Sequence, residues 1–186
     1  MASAITHFIV GASLALPAVH SRAIQAVLPR WAIPVTAGLM AVAPDLDTYA
    51  MFLFDIPRRS IFAHRGVFHS PVFLFLAAAL IAVLVARGSP RSAASLALVW
   101  AGCAITHPLL DMLTDGGSGV MLLFPFSNAR LFFGWRPIRV SPLGIASFFS
   151  RAGPILQSEL PFSIAALAAG GAGFACLSGG RGAVQH

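Results

Sequence analysis

Apolar residues in this chain come in unbroken runs rather than in stripes with a polar reverse. The runs are Ile5 to Val19, Trp31 to Ala43, Pro71 to Ala86, Ala93 to Leu113 and Pro161 to Leu177. Helices without a water-facing side belong in a membrane, where a full crossing takes about 20 apolar residues. The first run is short for that, so it is expected to tilt or to lie partly in the interface. Pro44-Asp45-Leu46-Asp47 interrupts the second run, and Thr48 to Phe54 continues it. Residues 55–69 read as a polar loop, and Arg87 to Arg91, with Gly88 and Pro90, as a tight turn.

Residues 114–160 follow another pattern. Phe124, Phe126, Phe132, Phe133, Trp135, Phe148 and Phe149 alternate with Arg130, Arg136, Arg139 and Arg151. That mixture anchors in the headgroup zone. The predicted fold is therefore all-α: a polytopic helical membrane protein with about four to five membrane-embedded helices and an aromatic, arginine-rich interfacial segment. Residues 1–177 are expected to form one domain, loop-rich over 114–160, and residues 178–186 a disordered tail.

Composition supports the membrane assignment. The 186 residues are 58% hydrophobic and 10% charged, against roughly 25% charged in a soluble domain. The net charge of +6 comes from arginines alone. They fall between apolar runs, as membrane-flanking charges do, and do not indicate nucleic-acid binding. A minority would be free to hold anionic headgroups or a phosphate. Cys103 and Cys176 lie inside apolar runs and build no disulfide framework. No basic segment precedes the first run, so a cleaved signal peptide is not expected.

Following the chain back and forth across the bilayer brings seven polar residues to one face: His7, Asp45, Asp47, His64, His69, His107 and Asp111. His107 and Asp111, four apart, share one side of a helix, which suits a metal. A packing histidine capped by aspartate is the plainer explanation, but a buried ionisable pair in an apolar helix is costly without a function. Asp45 and Asp47 follow a proline, as helix caps do. Two carboxylates in an apolar stretch with no arginine nearby nevertheless call for a cation. If the segment is helical they point to different sides, so one of them would be the ligand. His7 is an even choice between ligand and interfacial residue. His20 falls on the opposite side and His186 in the tail. Gly116-Gly117-Ser118-Gly119 resembles the nucleophile motif of rhomboid-type intramembrane proteases, but the required base has no histidine to supply it downstream except His186. It reads as a helix stop.

These residues resemble the bacterial family of membrane-bound metal-dependent hydrolases typified by the YdjM/YbcI-like inner-membrane proteins. The matching elements are Thr6-His7, Pro44-Asp45-Leu46-Asp47, His64-Arg65-Gly66, His69-Ser70, His107-Pro108-Leu109-Leu110-Asp111, Thr114-Asp115-Gly116 and Leu123-Phe124-Pro125-Phe126-Ser127. Phe68 departs from the Thr that members often carry there. The ligand order is also similar to that of zinc-dependent phospholipases C and single-strand nucleases, without the further histidines of their third zinc.

The resemblance implies a hydrolase of the inner membrane with one or two divalent ions, expected to be Zn2+. Its metal ligands would be His7, Asp45, Asp47, His64, His69, His107 and Asp111. Asp45, His64 and Arg65 are the expected catalytic residues: a carboxylate or imidazole to take a proton, and a guanidinium to hold phosphate. Glu159 is a weak extra ligand candidate. The expected partners are the lipid bilayer and a phospholipid or other phosphoester substrate. A transporter using the same His and Asp residues, or a purely structural metal site, are the alternatives. Arg58, Arg59, Arg65, Arg130, Arg136, Arg139 and Arg151 on the site's side outnumber the other five, a slight lean to a cytoplasmic site.

Overall fold

In the computed structural model, which describes residues 1–142 and 144–182, the chain is helical, with no β-strand among the described residues. Its helices are α1 (Ala4–Leu14), α2 (Arg22–Gln25), α3 (Ala32–Val42), α4 (Leu46–Leu53), α5 (Pro71–Ala86), α6 (Pro90–Met112), α7 (Ile145–Phe149) and α8 (Ala152–Gly182). Short 3-10 turns cover Leu16–His20, Ala43–Asp45 and Val67–His69.

The helix starts follow local chemistry. Ser3, Ser70 and Ser89 cap α1, α5 and α6, each side chain accepting from a backbone N–H three residues on. Pro71 and Pro90 stand where a missing N–H costs nothing. Pro90, read from sequence as part of a turn, thus begins α6.

α6 is the centre of the bundle, packing on α5, α3 and α1, while α1 also packs on α3 and α8. The contacts rest on small residues. Ala78 and Ala82 of α5 join the core around Leu96, Ala97, Trp100 and Ala101 of α6. A Cβ on Gly11 would stand 2.5 Å from the Ala41 Cβ, so α1 and α3 touch backbone to backbone. Gly170 of α8 meets the Ser13 carbonyl in the same way. Close approach through small residues is how helices associate in lipid. The outward faces are apolar: Leu80 and Leu84 of α5 and Leu98 of α6 are all more than 60% exposed.

Two helices, α6 and α8, are long and apolar enough to cross a membrane, and shorter apolar helices lie over 4–20 and 71–86. The last helix differs from expectation. It begins at Ala152, not Pro161, and takes in 178–182 of the expected tail. Residues 183–186, including His186, lie outside the described residues. The stretch 152–160 carries Gln157, Ser158 and Glu159 and so lacks an apolar run. It is helical because Glu159 is buried against α1, and because Pro161 removes only one helical donor. The loop-rich segment is correspondingly shorter than 114–160.

Candidate metal centre

The start of α1, the end of α3, the turn before α5 and the end of α6 meet at one end of the bundle. They bring His7, Asp45, Asp47, His64, His69, His107 and Asp111 together, all buried except His64, which is partly exposed. Asp45, His69, His107 and Asp111 each offer one ligand atom, and these atoms lie within 4.8 Å of one another. His107 Nε2 is 3.1 Å from His69 Nε2, 3.3 Å from Asp45 Oδ1 and 3.9 Å from Asp111 Oδ2. His69 Nε2 is 3.9 Å from both carboxylates. Donors held about 2.0–2.2 Å from a tetrahedral ion stand about 3.3–3.6 Å apart, so the set can hold a metal ion.

The surroundings fix the orientation of each donor. His107 Nδ1 is 2.7 Å from the Ala41 carbonyl and donates to it, which leaves Nε2 as a lone pair turned into the cluster. His69 Nδ1 faces Asp47 Oδ2 at 3.2 Å. Burial works against a charged His69, but Asp45 and Asp47 outweigh it and push its pKa up to about 9. Burial also opposes ionisation of Asp47, yet His64 and His69 bring it down to about 2. Three buried carboxylates, Asp45, Asp47 and Asp111, face one buried guanidinium, Arg65. Neither Asp45 oxygen has a hydrogen-bond partner among the described residues, a large penalty for a buried carboxylate unless a cation sits there.

Asp47 flanks the same His69 imidazole as Asp45, on its Nδ1 side where Asp45 is on the Nε2 side. It forms a second group with His64 and His69. His64 Nδ1 is 2.8 Å from Asp47 Oδ1 and 3.1 Å from Thr48 Oγ1, and burial lowers the His64 pKa. Its Nε2 has no partner among the described residues.

Three expected roles change. Arg65 is not poised at a surface to take a phosphate. It is 1% exposed, with Nε 3.0 Å from Asp111 Oδ2, and it donates to the Gly116 carbonyl and Thr114 Oγ1. Gly117, at φ +99°, lets the guanidinium pass: a Cβ there would stand 2.6 Å from Nη1. The glycine run therefore stops the helix and also makes room for Arg65. His7 stacks on His107, ring centroids 3.6 Å apart, with its Nε2 3.6 Å from Asp111 Oδ1, and it is not one of the four grouped donors. Glu159 is not a ligand. It accepts from Ser3 N, Ser3 Oγ and Thr6 Oγ1 and ties α8 to the start of α1.

Of the hydroxyls that hold these charged groups, sequence reasoning named Thr6 and Thr114 only as parts of matching motifs and did not single out Thr48 or Ser3. Their only signal is closeness in sequence to a charged residue or to a site motif. The Ala41 carbonyl has none.

The fold and site define an all-helical membrane protein with a buried His/Asp cluster able to hold a metal. The chain belongs to the YdjM inner membrane protein family, which it matches over residues 1–179. It is 35% identical over 126 residues to inner membrane protein YbcI of Escherichia coli (strain K12), covering 66% of this chain and 70% of that protein. It is accordingly a protein of the bacterial inner membrane. No solved structure matches it.

Proposed function

We propose that this protein is a metal-dependent hydrolase of the inner membrane acting on an ester, in particular a phosphoester, and that α1, α3 and α5 are embedded beside α6 and α8. The observation that carries the reading is the paired arrangement of a four-donor set and, next to it, a His64–Asp47 dyad with a free imidazole nitrogen. A divalent cation, Zn2+ by the nature of the donors, would supply Lewis acidity toward an ester oxygen and make water nucleophilic near neutral pH. Asp45, His69, His107 and Asp111 would hold it.

The chain's own residues then divide the work. Asp47 fixes the His64 tautomer with the proton on Nδ1, so that Nε2 can take a proton from the attacking water. Arg65 holds Asp111 in place, and His7 covers the His107 ring. Two cavities, each with a few polar residues on a mainly apolar wall, reach the site. One of about 330 Å3 reaches His64 beside Arg58 and Ser118, and another of about 310 Å3 reaches Asp45 beside Thr48 and Tyr49.

The test is hydrolysis of phosphodiester and carboxylic-ester substrates by purified protein, metal-loaded and chelated. Turnover that needs the metal and disappears in His64→Ala with metal still bound is expected. Metal-replete protein inert to every ester would leave a structural metal site.

A further inference from the structure

We propose that a phospholipid enters this centre sideways from the bilayer, its acyl chain seated in an apolar cleft between α3–α4 and α5–α6 and its head group in the cavity beside His64. The inference rests on the hydrolase reading for what happens to the lipid, but not for where the lipid binds.

The cleft holds about 290 Å3. It begins at Asp47 and Phe68 and passes Phe73 and Ala77 to Ile81, with Met40 on the facing wall. Phe73 to Ile81 is eight helical steps, about 12 Å along α5. Apart from Asp47, every lining residue is apolar. Leu46 and Ile81 at its edge are exposed, on the face where α5 also turns Leu80 and Leu84 outward. In a bilayer that edge meets acyl chains.

The head-group cavity differs in character. Arg58, His64 and Ser118 stand on its wall among apolar Met51, Ala63 and Val140, and exposed Arg58, rather than buried Arg65, gives it a charge that suits phosphate. Asp47 lines the cleft, His64 lines the cavity, and the two side chains meet at 2.8 Å. A molecule with an apolar tail and an anionic head would lie with its ester junction across that seam, beside the four-donor set. A small water-soluble ester would leave the cleft unused.

The experiment uses the full chain in nanodiscs containing phosphatidylglycerol with a diazirine midway along one acyl chain. After photolysis, cross-links are expected on Phe73, Ala77, Ile81 and Met40. Ala77→Trp should fill the cleft and remove them, with labelling of Leu80 and Leu84 retained as a measure of ordinary lipid contact. Ala50→Trp fills the cleft from the facing wall and guards against a folding defect in the first variant. Labelling that is even around α5, that concentrates on Tyr49 and Phe52, or that neither variant reduces would overturn the proposal. Asp45→Ala, with its metal lost, should keep the cleft cross-links. Cleft cross-links in a protein that hydrolyses no ester would support the lipid seat while removing the hydrolase reading.

Discussion

His69 and His107 point their Nε2 atoms at each other across 3.1 Å, while the Nδ1 of each is turned to an oxygen, of Asp47 and of Ala41. Two imidazole lone pairs at that distance repel unless a positive charge lies between them. In the bare protein a proton on His69 meets the need. A divalent ion meets it better, because Asp45 and Asp111 approach the same point.

His107→Ala, His69→Ala and Asp111→Ala should each lose bound metal, measured by elemental analysis of purified protein. Chelation should lower the thermal midpoint of the wild type. An ion at 100 times its dissociation constant contributes about 2.7 kcal/mol to the native state. Returning Zn2+ should restore the midpoint in the wild type and leave the three variants unchanged. Full metal content in all three would remove the assignment.

Asp47 and His64 should separate binding from turnover. Asp47 orients His69 from behind, and loss of such a partner typically costs about 10–100-fold in metal affinity. Asp47→Asn should show that loss in a competition titration. His64→Ala should bind metal as the wild type does and fail in turnover. If both variants lose metal alike, His64 is a ligand and not the proton acceptor.

Arg65 is a structural partner of Asp111, and the penalty for removing it should be visible in stability. Arg65→Met leaves a buried carboxylate without its guanidinium, a change that costs about 3–5 kcal/mol when one partner of a buried pair is removed. Gly117→Ala should destabilise the same contact from outside, through its positive φ and the crowding of Nη1. Unfolding measured in detergent should place both variants below wild type, with Arg65→Met the lower. A stable Arg65→Met with only a raised KM for a phosphoester would return Arg65 to the phosphate-binding role.

How far the site was legible depended on which groups carry the information. His107 and Asp111 share a helix, and apolar run lengths fix which end of each helix meets which, so the convergence on one face followed from sequence. The role of Arg65 did not, because its partners Asp111, Thr114 and Gly116 come from a segment about 50 residues away and two of the contacts are to oxygens without charge. The same holds for Arg130, which donates to the carbonyls of Ser60 and His64. The early start of α8 was hidden for a related reason: its first turns are polar, and burial comes from α1.

Glu159 provides the test of that last point. It sits in α8, yet all three of its hydrogen bonds go to Ser3 and Thr6, immediately before His7, and the Ala2 N–H donates to Asp111 Oδ1 at 2.7 Å. The contact therefore clamps the start of α1 onto the metal centre without touching the four donors. Glu159→Ala strands three buried donors, each unsatisfied group costing about 1–3 kcal/mol, so a marked fall in thermal midpoint is expected. Metal content at saturating Zn2+ should stay at the wild-type level, because Asp45, His69, His107 and Asp111 are intact. Glu159→Gln keeps acceptor oxygen and shape and should recover part of the loss. If Glu159→Ala instead released metal with an unchanged midpoint, Glu159 would belong with the ligands and the clamp would be discarded.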